Sequence, residues 1–146
     1  MGRKEARAAP APTLRRHAAQ LTANRLRRLA YEVGRAAKSS DAESVHDLRV
    51  AIRRLAQCLR VFEQLFPGDK TRKIRRALKG MADLASEVRD RDVAAALLGK
   101  AKIAPESELP RRLAEERRAA QQALVTELKQ FVRSNLSRKW RSVLEL

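Results

Sequence analysis

The sequence predicts an all-α protein, folded as an antiparallel four-helix bundle. Apolar residues recur every three to four positions through four long stretches, which is the period of one helix face. The residues that interrupt helices are few, and they lie between those stretches. No stretch shows the alternation rich in Val, Ile and Thr that is typical of strands. Four helices with short connections favour an antiparallel bundle.

Prolines and the spacing of a capping box set the expected bounds of the first two helices. Two prolines precede Thr13, a candidate N-cap, so the first helix is predicted over 13–38. Ser40 and Glu43 have the spacing of a capping box, which predicts a second helix over 42–66.

Two further breaks define the last two helices. Pro67 opens a Pro-Gly-Asp turn that ends the second helix and begins a third over 69–98. A glycine and two prolines lie between 99 and 110, and they separate the third helix from a fourth over 108–135.

The length of 146 residues suits one domain. We expect three parts along the chain. They are a flexible basic N-terminus over 1–12, the bundle over 13–135, and a basic tail over 136–146 with room for a short helix.

The charge of the chain points to a polyanionic partner. Lys and Arg number 33 against 17 Asp and Glu, which gives a formal net charge of +16. Such a surplus attracts nucleic acid, an anionic membrane or a phosphate polymer. Arginine outnumbers lysine 24 to 9, which suits bidentate binding of phosphate oxygens. Aromatic residues make up only 3%, which argues against single-stranded nucleic acid held by stacking.

Several other classes of protein and of functional site find little support in the sequence. Cys58 is the only cysteine, so a disulfide framework and a CxxC site are excluded. The longest apolar run, Val93 to Leu98, is too short to span a membrane. No apolar signal region follows Met1, which predicts a cytoplasmic protein. Two histidines and one Asp-x-Asp are too few for a metal-dependent phosphohydrolase, so we expect no enzyme, metal or cofactor.

The second predicted helix has a basic stripe beside its apolar one. His46, Arg49, Arg53 and Arg60 fall within about 60° on a helical wheel, and no acidic residue shares that sector. A solvated helix face normally mixes the two signs, because like charges at i,i+4 destabilise a helix. A bound polyanion would offset that repulsion. His46 is then a phosphate donor and a pH-sensitive element.

The two flanking helices have basic rows of their own, and three neighbouring rows are able to line one groove. The row on the first helix consists of His17, Asn24, Arg28 and Arg35, and the row on the third of Arg72, Arg75, Arg76 and Lys79. From these rows the predicted site takes Arg28, Arg35, Arg72, Arg76 and Lys79 in addition to the stripe.

Two motifs resemble those of the CHAD family, the conserved histidine α-helical domain. The first is His46 followed by Leu48-Arg49-Val50 and Arg53-Arg54-Leu55, and the second is Arg89-Asp90-Arg91-Asp92-Val93. The resemblance implies a helical bundle that binds inorganic polyphosphate, without catalysis, through a basic groove or pore, at polyphosphate granules. It places His46, Arg49, Arg53 and Arg60 on the anion-binding surface. Non-specific binding to nucleic acid or to a granule surface is the alternative.

Three further expectations concern packing. Asp92 lies near the apolar side of its helix, so it is expected to pair with an arginine and not to bind a metal. Arg54 lies off the basic stripe and is expected to form a salt bridge to a neighbouring helix. The family domain resembles two four-helix repeats, and this chain matches one, which predicts a homodimer with a shared pore. The expected seam consists of Phe131, Val132, Leu136, Trp140 and Leu144.

Overall fold

Every regular element in the described part of the chain is helical, as the sequence predicted. The computed structural model describes residues 11–146. The elements are α1 (Pro12–Lys38), α2 (Ala42–Val61), a short 3-10 helix (Glu63–Leu65), α3 (Gly68–Lys100), α4 (Glu108–Arg133) and α5 (Leu136–Val143).

The first four helices form an antiparallel bundle in which each helix packs against its neighbours in sequence. α1 contacts α2 and α4, and α3 contacts α2 and α4, so α2 and α4 lie on opposite corners. The antiparallel direction is evident where the end of α1 meets the start of α2, since Arg35 and Asp47 are 2.7 Å apart. α5 closes the end of the bundle at which α1 begins and α4 ends.

The core is built from the apolar stripe of each helix. The predicted stripe of α2 is buried at Val45, Leu48, Ile52, Leu55 and Leu59. It meets Ile74, Leu78, Met81, Ala85 and Val88 of α3, and Leu124, Leu128 and Phe131 of α4. Because the inner face of α2 is held this way, its basic face is turned outward.

The end of α2 differs from the prediction. The helix stops at Val61, five residues early, and Phe66 has an extended backbone with φ −119° and ψ 149°. Proline disfavours helical geometry in the residue before it, so Pro67 forces this extension. The extended backbone also turns Phe66 into the core, where it is buried.

The predicted N-caps of α1 and α2 were wrong. α1 begins at Pro12 with Ala11 as its N-cap, because proline fits the first helical turn. Asp41 caps α2, accepting a hydrogen bond of 2.8 Å from the backbone N–H of Ser44. Ser40 instead donates to the carbonyl of Ala36 at 2.6 Å.

The cap makes a pH-dependent contribution to stability. The N–H of Ser44 lowers the pKa of Asp41 in the folded protein. A depressed carboxyl pKa stabilises the fold above the ordinary Asp value of about 3.9, and the effect is lost as pH falls through the folded pKa. We expect Asp41→Ala to lower the melting temperature at neutral pH, with a gap from wild type that narrows as pH falls below the ordinary Asp value. Melting curves from about pH 2 to 7 measure the gap, and a gap of constant size would contradict this role of Asp41. Asp41→Asn, which keeps an acceptor but does not titrate, is the control.

The C-terminal tail is folded, and its apolar residues are not a free seam. Trp140 is buried and packs edge-to-face on Phe131, with ring centroids 5.2 Å apart. Leu144 is buried as well, and Leu136 packs against the same core. Of the five predicted seam residues only Val132 is exposed. The seam was wrong because these side chains complete the chain's own core. The predicted flexible segment 1–12 falls, up to residue 10, outside the described residues.

Candidate anion-binding groove

The outward face of α2 presents the basic stripe to solvent. His46, Arg53 and Arg60 are exposed, and Arg49 is half-buried. Within residues 11–146 none of these four side chains forms a salt bridge. Their positive charges are therefore not neutralised by neighbouring carboxylates in the described chain.

A groove of about 370 Å³ runs between α2 and α3 beside this stripe. Five basic side chains line it, namely His46, Arg49 and Arg53 from α2 and Arg75 and Lys79 from α3. We call these walls and the space between them the basic groove. The remaining lining residues are Val50, Ile52, Ala56, Leu78, Ala82 and Ser86, so no acidic residue is among them. The small side chains among them, Ala56, Ala82 and Ser86, leave room for an anion between the basic walls.

The antiparallel register extends the basic surface beyond this space. Arg53 of α2 and Lys79 of α3 line the two walls of the groove, and Arg75 lies one turn of α3 before Lys79. Arg117 joins Asp92 to Ser40, so the antiparallel register brings Arg60, near the end of α2, to the level of Arg72, near the start of α3. Both side chains are exposed. From His46 to Arg60 the stripe extends about 21 Å along α2.

Two α3 positions differ from the predicted site. Arg76 is exposed but does not line the basic groove, whereas Arg75 does. The signal for Arg75 was present in the sequence, since it lies four residues before Lys79 on the same face. The choice between two adjacent arginines depends on the rotation of α3 against α2, which the α3 pattern alone does not fix.

The ion pair of Lys79 is weak enough to be displaced. Its Nζ lies 2.8 Å from Oδ2 of Asp83, but the two side chains are 75% and 65% exposed. Exposed pairs of this kind contribute about 0–1 kcal/mol. An anion in the basic groove is able to compete for this ammonium group.

Arg35, a predicted site residue, is held by carboxylates and does not reach the basic groove. Its guanidinium lies 2.7 Å from Asp47, 3.3 Å from Glu32 and 3.7 Å from Glu43. The hydrogen bond to Asp47 raises the pKa of Arg35, and the charge of Glu32 adds to the effect. With three carboxylates around it, Arg35 serves the α1–α2 contact. The sequence placed it on a basic row because its acidic partners lie on other faces and another helix.

Arg28 is also paired, on the other side of α2. Its Nη2 lies 2.9 Å from the buried carboxylate of Glu32, and its guanidinium stacks 5.5 Å from the ring centre of Tyr31. A smaller groove of about 270 Å³ between α1 and α2 brings Arg28 near His46. Asp47 lines that groove too, so its charge is mixed. Together with Arg54 these residues form a poorer anion site than the basic groove.

A polar cluster fixes the turn that leads into α2. Arg117 of α4 binds Asp92 of α3 with Nε to Oδ1 at 2.6 Å, and its Nη2 donates to the carbonyl of Ser40 at 2.9 Å. The expected pairing of Asp92 with an arginine is thereby confirmed. This cluster joins α3, α4 and the α1–α2 connection a few residues before His46. No sequence pattern pointed to Arg117, because its partners lie 25 and 77 residues away.

Arg54 forms no salt bridge in the described chain, so the expected bridge to a neighbouring helix was wrong. It is exposed at the edge of the α1–α2 groove.

No three His, Cys, Asp or Glu side chains within residues 11–146 are grouped so that they could hold a metal ion. In the same range, none of the helices has the length and apolar character needed to cross a membrane.

Comparison with known proteins gives one match. The family model described as the CHAD domain matches residues 8–146, which is nearly the whole chain. No curated protein matches, and no solved structure matches.

Proposed function

The chain belongs to the CHAD family, and from this membership and the basic groove we propose that it binds inorganic polyphosphate without catalysing a reaction. One observation carries the proposal. Five basic side chains from two helices line a single groove that has no acidic lining residue. Polyphosphate is the polyanion that such a groove suits best, because nearly every unit of the polymer presents anionic oxygens and nothing else needs to be recognised.

The proposed binding mode follows from the chemistry of the walls. Arg49 and Arg53 donate charge-assisted hydrogen bonds to oxygens on successive phosphoryl groups, and Arg75 donates from the facing helix. Lys79 contributes a point charge once its bond to Asp83 is exchanged for one to phosphate. Release of counterions from the polymer supplies part of the affinity, so binding weakens as salt rises.

Polyphosphate and nucleic acid are distinguished by competition. The alternative function is non-specific binding of nucleic acid or of a granule surface through the same charge. We propose an assay in which labelled polyphosphate is displaced by unlabelled polyphosphate, RNA or duplex DNA at equal phosphate concentration and about 0.15 M salt. Polyphosphate should compete best. Equal competition by all three would favour the alternative.

The imidazole of His46 should make the binding pH-dependent. Histidine normally changes charge between about pH 5 and 8, and only the protonated ring adds a positive charge to the groove. A bound phosphate stabilises that form, so the complex takes up protons relative to the free protein. Polyphosphate affinity should therefore rise as pH falls from about 8 to about 5.5, with a smaller rise in His46→Ala. Affinity measured across that range tests this, with His17→Ala as the matched control. Superimposable pH profiles for wild type and His46→Ala would mean that His46 does not contact the anion.

The proposed setting is the cytoplasm, at polyphosphate granules, where the protein acts as a homodimer. The support for the granule is the proposed ligand, and the support for the dimer is that the chain folds as one four-helix bundle where the resemblance implies two. With the C-terminal seam excluded, the dimer needs another interface. The basic groove of one bundle is open, and binding there does not depend on a pore.

A further inference from the structure

The hairpin between α3 and α4 extends past the rest of the bundle. α3 has 33 residues and α2 has 20. His46 is the first α2 residue and Ser86 the last α3 residue that line the basic groove, so α3 continues about 10 residues, or about 15 Å, beyond the first residue of α2. The bond from Arg117 to Ser40 marks the level of the α1–α2 connection. We call the part above it, residues 93–116, the hairpin tip.

Apolar side chains are concentrated on this tip. Eight large hydrophobic residues of the described chain are exposed, and half of them lie between 93 and 109. They are Val93, Leu97, Ile103 and Leu109, exposed by 44%, 60%, 41% and 50%. Val93 and Leu97 follow Ser86 by 7 and 11 residues, so they continue the α3 ridge that borders the basic groove. They lie beyond the start of α2, so that helix does not cover them.

The tip also carries no positive surplus. Four basic and four acidic residues occupy it, which gives a net charge of zero against +16 for the whole chain. The basic ones are Lys100, Lys102, Arg111 and Arg112, and the acidic ones are Glu106, Glu108, Glu115 and Glu116. Exposed apolar residues surrounded by charges of both signs are typical of a protein interface.

We propose that the hairpin tip binds the hairpin tip of a second copy of this chain. Two molecules of charge +16 repel each other wherever their basic faces meet, and the tip, which has no net charge, adds nothing to that repulsion. In a tip-to-tip pair, Arg72 at the far end of the basic surface is about 30 Å along α3 from Val93, several times the Debye length of about 8 Å, whereas Ser86 at the near end of the groove is about 10 Å away. A polyanion, by contrast, is drawn to the basic faces and has no reason to occupy a neutral apolar tip.

A twofold contact suits the charges of the tip. In an isologous interface each residue of one copy meets a different residue of the other, so a segment with both signs is able to pair with itself. Glutamates of one tip then face lysines or arginines of the other, around an apolar centre formed by Val93 and Leu97. Because both residues lie on the ridge beside the groove, the two basic grooves approach each other at their His46 ends.

Sedimentation velocity without any polyanion tests this interface. At about 0.15 M salt wild type should show a concentration-dependent species of twice 16.5 kDa. Leu97→Glu should weaken dimerisation at least tenfold, because it puts a charge in the apolar centre. Val132→Glu is the matched control, since Val132 is 56% exposed near the other end of α4. It should dimerise like wild type.

Two outcomes would overturn the proposal. One is a monomeric wild type at a chain concentration of about 100 µM, where interfaces of biological size are normally occupied. The other is a Leu97→Glu dimer as stable as the wild-type dimer. An unchanged helical circular dichroism melt establishes that Leu97→Glu is folded. Polyphosphate affinity measured on the same variant is a separate readout, so failure of the interface and failure of the proposed ligand are distinguishable.

Discussion

Replacing Arg53 by alanine is expected to weaken polyphosphate binding by about tenfold to a hundredfold while leaving the melting temperature nearly unchanged. The magnitude is that of one charge-assisted hydrogen bond, about 1.5–3 kcal/mol. Arg53 is exposed and forms no salt bridge in the described chain, so its removal breaks no ion pair of the fold. Arg49→Ala should have the same direction of effect. Fluorescence titration and thermal melts on each variant provide the two readouts.

Arg118→Ala is the matched control for net charge. Arg118 is exposed on α4, the helix on the opposite corner of the bundle from α2. Its loss changes the total charge by the same amount as the loss of Arg53 and should reduce affinity by less than about threefold, through long-range attraction alone. Equal losses in the two variants would mean that the whole surface, and not the basic groove, attracts the polymer.

Arg35→Ala should show the opposite pattern, with a marked loss of stability and little loss of affinity. Arg35 lies between Glu32, Glu43 and Asp47 and joins α1 to α2. Glu32 is fully buried, and without Arg35 it keeps only Arg28 as a cationic partner, which destabilises the fold. We expect the melting temperature to fall by several degrees.

The control on the same helix is Arg27→Ala. Arg27 is exposed and bonds only to Asn24 of its own helix within the described residues, so its removal should barely change the melting temperature. A stable Arg35→Ala protein with strongly reduced affinity for polyphosphate would mean that Arg35 belongs to the binding site, as the sequence alone predicted.

These variants distinguish the parts of the site that could be predicted from the sequence and the parts that could not. The stripe from His46 to Arg60 could be predicted because residues of one helix have fixed angular positions. Its flank on α3 was predictable only as a row, since the rotation of that helix chooses Arg75 over Arg76. Arg35 could not be interpreted from its own helix, because Asp47 and Glu43 reach it from α2.

The C-terminal residues illustrate the same limit. Trp140 and Leu144 have the pattern of an amphipathic helix, which predicts a buried face but not what buries it. An apolar face that packs on the chain's own core and one that packs on a second copy look alike in sequence. Asn135, with φ 52°, reverses the chain after α4 and brings Trp140 back to Phe131. The position of this turn decides that the apolar face packs on the chain's own core and not on a second copy.

The most direct test of the central claim is a crystal structure of the protein with a short polyphosphate of defined length. If the basic groove is the binding site, the crystal structure will show phosphoryl groups between α2 and α3, within hydrogen-bond distance of Arg49, Arg53 and Arg75. Phosphates bound along the basic residues of α5, Arg138, Lys139 and Arg141, with the space between α2 and α3 empty, would contradict it.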